Sequence, residues 1–112
     1  RVGAIAVKDG RVLSIGYNGT PPGFDNKCED ENGVTKIEVL HAEANCLAKL
    51  ARCNESSEGA TIFVTHSPCV ECAKQMFVAG IKEVYYDQEY RDTSGITLLK
   101  KLGVKIERYN EV

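Results

Sequence analysis

Three side chains of this sequence are of the types that hold a divalent transition metal: His41, Cys69 and Cys72. One imidazole and two thiolates are donors that zinc favours, and three protein ligands leave a fourth tetrahedral position for water or substrate. Glu43 follows the histidine by two residues, in the stretch Val39-Leu40-His41-Ala42-Glu43-Ala44-Asn45-Cys46. A carboxylate beside such a position can take a proton from metal-activated water, which predicts a hydrolytic metal site rather than a closed structural one. Each half alone says less. A lone C-x-x-C is also the pattern of a redox pair or of half a zinc knuckle, and His-Ala-Glu by itself is noise. The specific feature is both halves in this order, with Pro68 directly ahead of Cys69.

The elements that must position these groups can be read from the pattern around them. Ala44, Leu47, Ala48 and Ala51 recur at helical spacing, so a helix is expected over Ala42–Arg52 with Glu43 in its first turn. Pro68 is suited to a helix start, where its missing N–H costs nothing. The second helix is expected over Cys69–Ala79, ending at Gly80, with Cys69 and Cys72 at i and i+3 on one face. Two helix N-termini would then converge on the metal, and their positive ends favour thiolates.

Around them, Val2–Val7 and Arg11–Tyr17 are β-rich runs separated by Lys8-Asp9-Gly10, a hairpin signal. Turn residues and charges from Asn18 to about Lys36 predict a long loop of the kind that is usually functional or mobile. Ala60–Thr65, Lys82–Asp87 and Val104–Glu107 read as further strands, and Thr93–Leu102 as a third helix stopping at Gly103. Strands alternating with helices after residue 40 imply parallel crossovers. The expectation is an α/β fold of a single domain over residues 1–112: a five-stranded mixed sheet in a three-layer αβα sandwich.

Composition narrows the function classes. The 112 residues are 43% apolar and 27% charged, with a formal net charge of −2. That balance argues against a general nucleic-acid binder, which carries a basic excess. No apolar run approaches a membrane span and no signal peptide is visible, so a cytoplasmic location is expected. Cys28, Cys46 and Cys53 remain after two cysteines are assigned to metal, and a reducing compartment accounts for unpaired thiols. The chain opens inside a strand pattern without an initiator methionine, so a preceding segment is expected.

The stretches Gly16-Tyr17-Asn18-Gly19-Thr20-Pro21-Pro22-Gly23-Phe24, His41-Ala42-Glu43-Ala44-Asn45 and Ser67-Pro68-Cys69-Val70-Glu71-Cys72 together resemble the deoxycytidylate deaminases of the cytidine deaminase superfamily. The latter two carry the H-x-E…P-C-x-x-C pattern of zinc deaminases generally, so the first is the distinguishing one. The resemblance implies one catalytic Zn²⁺ and hydrolysis of dCMP to dUMP and ammonia, supplying dUMP for thymidylate synthesis. It implies Glu43 as general base and acid, accepting the water proton and delivering it to the pyrimidine N3, and protonating the departing amine in a later, separate transfer. It also implies substrate contacts from Asn45, Tyr90, Thr65, Ser67 and Pro68, and an effector loop at Gly16, Tyr17, Asn18 and Gly19. By the same resemblance dCTP activates, dTTP inhibits, and the chain forms a homo-oligomer, with a hexamer favoured.

Plainer roles stand beside several of these. Asn45 fits a solvent-facing helix position, Tyr90 a filler, and Asn18-Gly19 a turn chosen for its backbone angles. Cys28 is not expected to join a second metal site, and the role of His66, next to Ser67, is open. A tRNA adenosine deaminase would need a basic face, which this charge balance does not provide. A zinc-stabilised scaffold without activity would be marked by loss of Glu43, which is present.

Overall fold

The computed structural model describes residues 3–17 and 41–109. The chain begins with a hairpin, β1 (Gly3–Lys8) and β2 (Arg11–Tyr17). It re-enters the described region at α1 (Ala42–Leu50), β3 (Thr61–His66), α2 (Val70–Val78), β4 (Glu83–Gln88), α3 (Ser94–Lys101) and β5 (Lys105–Arg108). The five strands form one sheet in the order β2-β1-β3-β4-β5. β1 is antiparallel to both neighbours, whereas β3, β4 and β5 are parallel and joined by α2 and α3. The expected mixed sheet and α/β class are therefore present.

Register explains which face is covered. Ala4 pairs with Gly16 and Val64, and Ala6 with Ser14 and Ile62. Ile62 and Val64 pair in turn with Val84 and Tyr86, and Val84 with Ile106. This period-2 set is buried, and it packs with Cys46, Met76, Ile96 and Leu99 from the helices into one apolar cluster. Both parallel crossovers advance in the same direction along the sheet, so a common handedness sets α2 and α3 on the same side. The opposite face carries Ile5, Ile15, Tyr17 and Phe63, each more than a third exposed. Among the described residues one helical layer covers the sheet, and the second layer of the expected sandwich is not among them.

Helix ends differ from the sequence reading by a residue or two, and one difference matters. Pro68 is not the first helical residue of α2; Cys69 is the N-cap, with φ −74° and ψ 171°, and Val70 starts the helix. The proline thus sits before the cap, where it stiffens the approach instead of the first turn. The first helix is shorter than expected, because the chain after Leu50 tightens into a turn in which Cys53 N–H donates to the Leu50 carbonyl at 3.0 Å.

Candidate metal centre and active site

The parallel half of the sheet directs the N-termini of its crossover helices to the edge where β3 and β4 end, the usual place for a site in such sheets. His41 is the N-cap of α1 and Cys69 the N-cap of α2, both in extended backbone conformation. Neither side chain caps its own helix. They face each other instead: Cys69 Sγ and Cys72 Sγ each lie 3.5 Å from His41 Nδ1. A tetrahedral ion with bonds of about 2.3 Å to sulfur and about 2.0 Å to nitrogen requires an S···N edge of about 3.5 Å, so the donor set fits zinc in identity and spacing. All three ligand atoms lie within 4.8 Å of one another. Cys72 is buried, Cys69 half-buried and His41 exposed, so the cluster opens on one side for a fourth ligand.

Glu43 lies in the first turn of α1 and is 5% exposed. Burial pushes its carboxyl above the ordinary carboxylate range, against the opposing pull of its backbone hydrogen bond, His41, the Cys72 thiol and His66. Burial also pushes the Cys72 thiol up, helped by the negative charge of Glu43 and Cys69 nearby. A divalent cation inverts that balance by stabilising both thiolates. A buried carboxyl, a His/Cys/Cys donor set and an open side are the parts needed to activate water and move its proton.

The other candidate site residues divide. Asn45 sits in the second turn of α1, and its Nδ2 donates to the Tyr17 carbonyl at 3.0 Å, tying the helix to the end of β2. Ser67 is 3% exposed; its hydroxyl accepts the Tyr90 N–H at 2.7 Å and its own N–H donates to the Gln88 carbonyl at 2.8 Å. Its side chain thus holds the chain that carries Tyr90, and Tyr90 itself is exposed. Pro68 is fully buried beside it. Thr65 is placed elsewhere: its hydroxyl accepts the Gly3 N–H at 3.0 Å, and it lines a cavity on the uncovered sheet face with Ile5, Tyr17 and Phe63. Strand alternation is the reason, since Val64 faces the helices and Thr65 must face away.

Gly16 has a packing explanation. A Cβ there would stand 2.5 Å from the Ala42 carbonyl oxygen and 2.9 Å from Cys46 Cα, so its lack of a side chain lets α1 lie directly on β2. Ser14 reinforces the contact by donating to the Cys46 carbonyl at 2.8 Å. Asn18, Gly19 and Cys28 lie outside the described residues. Cys46 is a buried core thiol, and His66 Nδ1 is 3.4 Å from Thr65 Oγ1. A residue not singled out from the sequence is Gly95, in the first turn of α3, which packs against the backbone of Pro68 and Cys69. The available signal was a glycine inside a helical run, which usually has a packing reason.

Known proteins place the same geometry in a family. The cytidine and deoxycytidylate deaminase zinc-binding region matches residues 1–88. A crystal structure of dCMP deaminase from the cyanophage S-TIM5, in complex with dCMP and dUMP, superposes with a TM-score of 0.94 at 53% identity, over 96% of this chain and 80% of that one. ComE operon protein 2 of Bacillus subtilis is 37% identical over 96% of this chain and 59% of its own length. Deoxycytidylate deaminase of Saccharomyces cerevisiae is 32% identical over 98% of this chain but 38% of its own length. This chain therefore spans less than two thirds of those two relatives. By its sequence match and by its His/Cys/Cys centre, the chain belongs to the cytidine and deoxycytidylate deaminase zinc-binding family.

Proposed function

We propose that the chain catalyses hydrolytic deamination of dCMP to dUMP and ammonia. The observation that carries this reading is the buried Glu43 carboxyl beside the His41, Cys69 and Cys72 donor set. Zinc held by those three residues supplies an activated water at neutral pH. Glu43 accepts the water proton on a carboxylate oxygen and donates it to N3 of the pyrimidine as C4 is attacked; it then takes the proton of the new C4 hydroxyl and passes it to the departing amine as the C4–N bond breaks. Its burial suits the task, because a carboxyl raised above the ordinary carboxylate range takes up a proton more readily than an exposed one and can alternate between the two states.

Substrate choice must come from groups outside the metal shell, since related deaminases share the zinc chemistry. The Gly16–Phe24 motif and the similarity to the cyanophage enzyme favour a free deoxynucleotide, and the net charge of −2 disfavours RNA. Ser67 and Asn45 act in this scheme by holding the two chain segments that border the centre, with Tyr90 on the first and Tyr17 on the second. An effector response to dCTP and dTTP through the residues after Tyr17 would reach α1 through the Asn45 bond. A homo-oligomer, with a hexamer favoured, and a cytoplasmic location complete the reading. No helix among the described residues is long and apolar enough to cross a membrane.

The test is ammonia release from a panel of dCMP, deoxycytidine, CMP, dCTP and adenosine-bearing RNA. A site built to pair a 5′-phosphate leaves its donors unpaired with the nucleoside, so dCMP is expected to exceed deoxycytidine by at least about 100-fold in kcat/KM. Equal rates on deoxycytidine, or deamination of adenosine in the RNA, would overturn the dCMP assignment.

A further inference from the structure

We propose that Gly95 is a positioning residue of the metal centre, and that with Ser67 it makes the placement of Cys69 depend on the seating of α3. Cys69 is an N-cap in extended conformation whose side chain makes no capping bond. Its Sγ is therefore aimed by the backbone of Ser67, Pro68 and Cys69 and not by the helix it precedes. That backbone is gripped from one side by the chain running from β4 into α3. Ser67 N–H donates to the Gln88 carbonyl at 2.8 Å, and Ser67 Oγ accepts the Tyr90 N–H at 2.7 Å. Further along, Gly95 lies against the Pro68 carbonyl so closely that a Cβ would overlap its oxygen. The same Cβ would stand 2.9 Å from both the carbonyl carbon and the carbonyl oxygen of Cys69. Both obstacles are backbone, so neither can rotate out of the way.

The Cys69 carbonyl is also the first acceptor of α2, taking the Ala73 N–H at 2.9 Å. A displacement of that peptide thus moves the Cys69 ligand and the start of the helix that carries Cys72. Zinc sites tolerate about 0.2 Å in ligand distance. An overlap relieved only by a shift on the order of 1 Å exceeds that tolerance several-fold and therefore spoils the site. Helix propensity points the same way, because glycine is a poorer helix former than alanine and the close approach supplies the reason to bear it. The inference rests on the zinc reading of the centre and is independent of which nucleotide is deaminated.

Zinc affinity measured by competition with a chromophoric chelator tests it. Gly95→Ala is expected to keep the wild-type far-UV circular dichroism and to bind zinc at least about tenfold more weakly, the usual scale for groups that orient a ligand. The cobalt-substituted variant is expected to show a changed thiolate-to-metal charge-transfer band. Thr97→Ala, an exposed change on the same helix, controls for helix propensity and is expected to bind like wild type. Wild-type affinity and spectrum in Gly95→Ala would overturn the proposal, since a purely structural glycine lowers thermal stability without moving either. Should that variant fail to fold, amide exchange on the unaltered protein decides. Removing zinc is expected to speed exchange at the Ser67 and Tyr90 amides together while the Val84 amide in the core stays protected. Unchanged exchange at both would overturn it. Absence of zinc binding in wild type would instead overturn the metal reading itself, so the two failures are distinguishable.

Discussion

In the proposed reaction Glu43 combines two properties that rarely coexist, near-complete burial and a required charge change. Replacing it with glutamine keeps the shape and removes the proton acceptor. Glu43→Gln is expected to retain zinc and to lose activity by on the order of 10² to 10⁴-fold, or more since it serves two proton transfers; a turnover assay alongside metal analysis checks it. The raised carboxyl pKa has a second consequence, visible in the metal-free protein. A carboxyl that binds its proton more tightly folded than unfolded lowers stability as pH rises from the unfolded pKa to the folded one. Metal-free Glu43→Gln should therefore be more stable than metal-free wild type at neutral pH, with the difference vanishing below the ordinary carboxylate range. Thermal melts of both proteins across that pH range read it directly.

At the scale of elements, the decisive contact is α1 on β2. Gly16 leaves room for the Ala42 carbonyl and the Cys46 backbone, while Ser14 and Asn45 fasten the helix to the strand. Gly16→Ala is expected to lift the helix and cost about 1–3 kcal/mol, the usual penalty for overpacking. Because His41 occupies the N-cap position of that helix, zinc affinity should fall as well. Denaturant unfolding with a zinc titration checks both effects. An unchanged stability joined to an altered dCTP or dTTP response would favour an effector role for Gly16 over this packing role.

For the whole molecule, a metal held at this centre would be a fastener as well as a reagent. Its ligands come from α1 and from α2 with its approach, two segments that the chain joins only through β3. The loaded protein should carry about one zinc per chain, as a single His/Cys/Cys donor set implies. Stripping it with a chelator should lower the thermal midpoint, since a ligand at 1,000 times its dissociation constant stabilises the folded state by about 4 kcal/mol. Elemental analysis and melts with and without chelator measure the two quantities. A midpoint that ignores the chelator would mean that the helices hold together without the ion.

Much of this was legible without coordinates. Donor types and spacing singled out His41, Cys69 and Cys72, which the fold gathers into one donor set, and Glu43, which it buries in the adjoining first turn of α1, because metal and proton chemistry restrict which side chains can serve. Period-2 and helical patterns located five strands and three helices to within a residue or two at most ends, because each element must bury one face. Roles that depend on a neighbour distant in sequence were not legible. Ser67 reads as a polar residue beside a motif until its hydroxyl is seen to hold the Tyr90 amide. Thr65 is implied by the resemblance as a substrate contact, yet alternation along β3 turns it to the other face of the sheet. Gly16 and Gly95 offer no side chain to read, and the backbone that approaches each of them supplies its packing reason. The sequence by itself determined the chemistry and the order of elements, because those depend on residue type and local period. Only the tertiary structure decided which residues hold the ligands in place, because those contacts join segments that the chain keeps far apart.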